Sequence, residues 1–176
     1  VCGLDVAAEV FRRMNRSIHV RRLVRDGDRV KRGAVVMRLE GPTGALLAAE
    51  RTALNFLQRL SGIATQAGRY AAAVAGTGVR VIDTRKTTPG WRELEKYAVR
   101  TGGGGNHRVS LAAMFLIKDN HIAAAGSLTR AVQLCRAASR RGIKVEVEAK
   151  TLAEVKEAVV SGADIILLDD MSPARI

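Results

Sequence analysis

Four short apolar runs, each ending in charge, constrain this chain more than any other feature. Val79–Ile82 runs into Asp83-Thr84-Arg85-Lys86-Thr87, and Ala113–Ile117 into Lys118-Asp119-Asn120-His121. Val145–Val147 ends in Glu148, and Ile165–Leu168 in Asp169-Asp170. Runs this short and this apolar read as buried strands, with helix-like stretches at Ser127–Arg140 and Thr151–Ser161 between them. That alternation predicts βαβ units and a parallel sheet. A spacing of roughly 20 to 30 residues fits a (β/α) barrel and an open doubly wound sheet alike. In both, the active site is built on the C-terminal edge of the strands. Charge at four successive strand tips makes an enzyme the leading reading.

The first part of the chain has a different texture. Val6, Val10, Phe11 and Met14 recur at near-helical spacing, which predicts an amphipathic helix over 5–16. Ile18–Val24, Asp26-Gly27-Asp28 and Val30–Leu39 read as strand, turn and strand, with a second turn at Gly33. After the break at Gly41-Pro42-Thr43-Gly44, residues Ala53, Phe56, Leu57, Leu60 and Ala64 predict a helix with one buried face. Arg51, Asn55 and Gln58 line its other face, so Arg51 is either a functional cation or a surface anchor.

Charge narrows the function classes. The formal charge is +12, yet residues 145–176 carry 7 acidic and only 3 basic side chains. A basic body with a small acidic segment fits cations that gather an anionic ligand beside carboxylates that hold a metal. Aromatic residues make up only 3%, a poor supply of stacking platforms for single-stranded nucleic acid. No apolar run reaches the roughly 18 residues of a membrane-spanning helix. Cys2 and Cys135 are too few for a disulfide framework or zinc site, which predicts a reducing, cytoplasmic setting. The chain opens on Val1 with no leader-like segment and is expected to be an internal fragment.

Arg85, Lys86, Arg108 and Lys118 are expected to converge with His107 on one pocket. Two like charges 4 Å apart repel by about 4 kcal/mol at an effective dielectric near 20. Such a cluster therefore needs a polyanion among its members, or carboxylates that neutralise them. Arginine matches carboxylates and phosphates bidentately and lysine supplies a compact charge, so the ligand should carry several carboxylates, phosphates or both. Gly102–Gly105 is either a phosphate-approaching loop or a flexible turn; it matches no P-loop or dinucleotide fingerprint. Glu146 and Glu148 alternate with Val145 and Val147 and so share one strand face. With Asp169 they either hold Mg²⁺ through oxygen atoms and water or balance the cationic cluster. His19 reads as structural and His121 as a loop hydrogen-bonder.

Several strings are more specific than this. Glu50-Arg51-Thr52-Ala53-Leu54-Asn55-Phe56-Leu57 with Ser61-Gly62-Ile63-Ala64-Thr65 resembles the quinolinate phosphoribosyltransferases, also called nicotinate-nucleotide pyrophosphorylases (carboxylating). So do Asp83-Thr84-Arg85-Lys86-Thr87-Thr88-Pro89-Gly90, Asn106-His107-Arg108, Ile117-Lys118-Asp119-Asn120-His121, Val145-Glu146-Val147-Glu148 and Leu168-Asp169. The resemblance runs from residue 1 to residue 176 in order and spacing.

It implies an α/β fold: a partial α/β sandwich N-terminal domain over 1–52, then an incomplete (β/α) barrel over 53–176, both truncated in this chain. It implies phosphoribosyl transfer from phosphoribosyl pyrophosphate to quinolinate with decarboxylation, giving nicotinate mononucleotide, pyrophosphate and CO₂ for NAD biosynthesis. By motif, Arg85, His107, Arg108 and Lys118 grip the quinolinate carboxylates, and Thr84 and Lys86 line the same site. Glu148 and Asp169 hold the ribose hydroxyls and Mg²⁺, and Lys86, Lys118, Glu148 and Asp169 are the implied catalytic set. Arg51 completes the pocket of a neighbouring copy, so a homodimer or higher homo-oligomer is expected, with no nucleic-acid or membrane partner.

One departure stands out: the family usually has Leu-Asp-Asn where this chain has Leu168-Asp169-Asp170. Two alternatives come from other classes. One is a molybdenum-transport-associated paralogue with a different substrate, and the other is a basic nucleic-acid-binding module.

Overall fold

A computed structural model of the chain describes residues 1–139 and 142–176, with Arg175 described by its backbone only. The chain divides into two compact units, Val1–Val109 and Ser110–Ile176. Among the described residues, no helix is long and apolar enough to cross a membrane.

The first unit is built around one long helix. Helix α1 (Leu4–Met14) buries Leu4, Ala7, Ala8 and Phe11, one stripe of its surface. Strands β1 (His19–Arg22) and β2 (Met37–Glu40) pair antiparallel, His19 opposite Glu40 and Arg22 opposite Met37. They are shorter than the predicted strands. Helix α2 (Thr43–Ala73) is 31 residues long and buries Ala49, Ala53, Leu60 and Ala64, at spacings of four and seven. Its first half packs with Ala7, Phe11 and Ile18, and its second half with Cys2 and Ala98. The expected division between 52 and 53 falls inside this continuous helix. Helix α3 (Arg92–Thr101) follows and was not among the predicted elements.

Asp26 ties these pieces together. Its carboxylate accepts from the N–H groups of Gly3 and Leu4 at the start of α1, and from the hydroxyl of Tyr97 on α3. A residue read from sequence as part of a turn thus satisfies donors that open a helix.

The predicted strand at Val79–Ile82 does not form a ladder. Ile82 makes a single parallel bridge to Gly105, and Val79 and Ile82 are half exposed or more. In that register residues 102–104 stand opposite 79–81, and the N–H groups of Gly103 and Gly104 are already given to the Arg100 and Val99 carbonyls at the end of α3.

The second unit carries the predicted parallel sheet. Strands β3 (Phe115–Ile117), β4 (Val145–Ala149) and β5 (Ile165–Leu168) lie side by side in chain order, all parallel. Helices α4 (Asp119–Ala125), α5 (Leu128–Ala138) and α6 (Leu152–Val160) fill the connections. Arg140, the last residue of the helix expected over Ser127–Arg140, lies outside the described residues. Ser127 caps α5 by accepting from the Arg130 N–H, and Thr151 with Glu154 forms a reciprocal capping box at α6.

Ile117, Val145 and Val147 are buried against Leu128, Ala131, Val132 and Ala158 of the helices. Those three strand residues share one sheet face. All the helix contacts of this core fall on that face, as in the wall of a (β/α) barrel. Register leaves Leu116, Glu146, Glu148 and Leu167 on the other.

Candidate active site

In the first unit, the site is organised by a carboxylate that the sequence reading did not single out. Asp83 Oδ1 accepts from Lys96 Nζ at 2.5 Å and from the His107 N–H at 2.8 Å. Asp83 Oδ2 accepts from Asn106 Nδ2 at 2.6 Å. Lys96 Nζ also donates to the His107 carbonyl at 3.1 Å, and Asn106 Nδ2 to the Lys96 carbonyl at 3.0 Å. The strand tip at 83–87 and the Asn106-His107-Arg108 string are thereby clamped to α3. Lys96 is 3% exposed, so this is an ion pair removed from water.

Helix α3 fixes the same loop at a second point. Arg92 donates to the Arg85 carbonyl, the Thr87 hydroxyl and the Val109 carbonyl. Further along, Arg59 of α2 pairs with Glu95 at 2.6 Å and reaches the Thr88 hydroxyl. Burial pushes the Glu95 carboxyl up, but the hydrogen bonds from Arg59 and Thr88 outweigh it and hold the group below its ordinary value. Thr84 turns the chain by accepting from the Lys86 N–H.

The structure thus brings Thr84, Arg85, Lys86, His107 and Arg108 onto two adjoining segments. Lys86 is exposed, while Arg85, His107 and Arg108 are half-buried. Arg85 Nε is buried and makes no hydrogen bond, the one such side-chain atom among the described residues. Arg51 is exposed, in the third turn of α2, and is not drawn into this network.

The glycine run is explained by packing. A Cβ on Gly102 would lie 2.2 Å from the Ala64 carbonyl oxygen of α2, and one on Gly104 would lie 2.8 Å from Val99. Only a bare backbone lets the end of α3 pass this close to α2. A half-open cleft of about 720 Å³ lies along α2, lined by residues such as Leu57, Gln58, Thr65 and Arg69. None of the expected site residues lines it.

In the second unit, Lys118 Nζ meets Glu148 Oε2 at 2.6 Å across the tips of β3 and β4. The Glu148 side chain is only 11% exposed and that of Lys118 is 42%. Lys150 pairs with Asp119 at 2.8 Å on the rim. Its ammonium is held above its ordinary value, chiefly by Asp119, with Asp169 and Glu148 adding. Asp169 follows β5, its N–H donating to the Ala149 carbonyl. By register it continues the face that carries Glu146 and Glu148. His121, expected to be a loop hydrogen-bonder, lies instead in the first turn of α4, where its Nδ1 accepts from the N–H of the capping residue Lys118. Asp170 sits at φ 53, in the left-handed region where Asn is at ease.

Sequence reasoning missed Asp83, Asn106, Lys96 and Arg92 as site-building residues. Asp83 and Asn106 stood in the quoted motifs, but nothing in the string says which acid binds and which one braces. Lys96 could be found only by placing α3 and noting a lysine on its buried side, next to Tyr97 and Ala98.

With this geometry in hand, the comparisons are decisive. The family model for the C-terminal domain of quinolinate phosphoribosyl transferase matches residues 63–176. The model for the N-terminal domain matches residues 1–61. The chain belongs to the quinolinate phosphoribosyl transferase family.

Members of that family with curated names support it. A probable nicotinate-nucleotide pyrophosphorylase [carboxylating] from Synechocystis sp. is 46% identical over 97% of this chain and 58% of its own length. The Homo sapiens nicotinate-nucleotide pyrophosphorylase [carboxylating] is 42% identical over 86% of this chain and 52% of its own. The crystal structure of NadC from Streptococcus pyogenes superposes with a TM-score of 0.93 at 45% identity, covering 98% of this chain and 61% of that one. The chain therefore spans between 52% and 61% of the length of these quinolinate phosphoribosyl transferase relatives. Neither the molybdenum-transport paralogue nor the nucleic-acid module finds support among them.

Proposed function

We propose that this chain carries the quinolinate-binding and much of the phosphoribosyl-binding part of an enzyme that joins quinolinate to phosphoribosyl pyrophosphate. The products are nicotinate mononucleotide, pyrophosphate and CO₂. The observation that carries this reading is the match to both family domains, over residues 1–61 and 63–176.

The chemistry of the residues supports it. Within the first unit, Arg85, His107 and Arg108 are the cations that would hold ring carboxylates, with Thr84 beside them. A buried guanidinium nitrogen without a partner costs about 1–3 kcal/mol, and an anion held by the Arg85 guanidinium offsets that cost. Lys86, exposed at the same tip, would meet the pyrophosphate. Arg51, exposed on α2, would serve the site of a second copy in a homodimer or larger homo-oligomer.

Glu148 and Asp169 would take the ribose hydroxyls and Mg²⁺. The donor set fits a magnesium ion that keeps several waters and substrate oxygens, since one or two carboxylates suffice for it. No cluster of three or more His, Cys, Asp or Glu occurs among the described residues. When bound, Mg²⁺ neutralises charge that develops on the departing pyrophosphate. The pyridine nitrogen attacks the anomeric carbon as the bond to pyrophosphate breaks. The resulting positive ring stabilises the electron pair left when the adjacent carboxylate departs as CO₂, and that ring carbon then takes a proton from water. No covalent enzyme intermediate is required.

Calorimetry with quinolinate tests the reading. Arg108→Ala should lose a charge-assisted pair worth about 1.5–3 kcal/mol, a loss of roughly tenfold or more in affinity. Unchanged quinolinate affinity in that variant would remove Arg108 from the site. Absence of quinolinate binding by the intact wild-type protein would sink the function itself.

A further inference from the structure

Among the described residues, Lys96 and Glu146 are the charged side chains taken out of water, each 3% exposed. A buried ion pair stabilises a fold little more than well-packed apolar residues would. What Lys96 does contribute is geometry. Its ammonium joins the Asp83 carboxylate to the His107 carbonyl, while Asp83 takes the His107 N–H. Asn106 closes the ring by donating to both Asp83 and the Lys96 carbonyl. Both backbone polar groups of His107 are therefore fixed by one ion pair, and Arg85 lies two residues beyond Asp83.

We infer that Lys96, acting through Asp83, is a positioning residue that sets the spacing between Arg85 and the His107-Arg108 pair, and so selects a pyridine dicarboxylate over a monocarboxylate. This rests on the function proposed above. Two adjacent carboxylates need two cationic groups at a fixed separation, because charge-assisted pairs reward geometry as well as charge. One carboxylate needs only one of them. Loosening the clamp should therefore penalise the dicarboxylate selectively.

The test uses the intact protein and three forms: wild type, Lys96→Met, and Asp83→Asn with Lys96→Met. Met keeps the length of Lys without its charge, and the double variant avoids leaving Asp83 charged and unpaired if the single one does not fold. Binding of quinolinate and of nicotinate is measured by calorimetry, and the imidazole resonances of His107 are followed by NMR, the chain having 3 histidines. Quinolinate affinity should fall by about tenfold or more, nicotinate affinity should fall distinctly less, and the His107 signals should move. A folded variant that keeps quinolinate within twofold of wild type, or weakens both ligands equally, overturns the inference. So do His107 resonances that stay in place. A wild-type protein that binds no quinolinate would instead refute the proposed function, while the His107 signals would still decide whether Lys96 holds that segment.

Discussion

The phenol of Tyr97 donates to Asp26 Oδ2 at 2.7 Å, and burial, reinforced by that carboxylate, raises its pKa to about 12. The folded state thus favours the protonated phenol. Its contribution to stability is complete below the unfolded value near 10 and is lost as the pH climbs from there to about 12. A tyrosinate absorbance titration should show a step near 12 that Tyr97→Phe deletes, and the alkaline loss of stability should flatten in the same variant. Completion of tyrosine ionisation before about pH 11 would contradict the contact. Residue identity alone did not reveal this. Asp26 looked like turn chemistry, and its partners lie 22 to 71 positions away. The same is true of Asp83, whose motif was legible and whose bracing role was not.

Between elements, the close passage of α2 and the end of α3 governs how the first unit packs. Gly102→Ala would push a methyl against the Ala64 carbonyl, where backbone must move rather than a flexible side chain. The expected cost is about 1–3 kcal/mol or more, read as a drop in the urea midpoint with little change in slope. Gly44→Ala, whose added Cβ meets nothing within 4 Å, is the control. If both variants unfold at the same urea concentration, packing does not explain the glycine run. Periodicity recovered α1, α2, β4 and β5 because each has one buried stripe or an apolar run. It failed at Val79–Ile82, since whether an apolar run becomes a strand depends on which backbone groups are left to pair. Here the N–H groups of Gly103 and Gly104, which stand opposite that run, go to the end of α3 instead.

Across the whole molecule, the +12 charge bears on ligand capture rather than on fold. A cationic body raises the local concentration of anions. Screening shortens the reach of that field from about 10 Å at 0.1 M salt to about 3 Å at 1 M. On the function proposed above, affinity for phosphoribosyl pyrophosphate should therefore fall severalfold over that range, and more steeply than affinity for uncharged nicotinamide. Equal salt responses of the two ligands would show that net charge plays no part in capture.

The sequence by itself determined the family, the parallel α/β character of the second unit and the candidate site residues. Those features are written in local order, as apolar runs, strand-tip charges and short motifs, and need no knowledge of what packs on what. Only the tertiary structure decided that Asp83, Asn106 and Lys96 brace the first set of cations. It also decided that Lys118 already holds Glu148, and that Gly102 serves a helix contact. Each of these depends on side chains brought together from distant positions, where burial and hydrogen-bond partners, not residue type, assign the role.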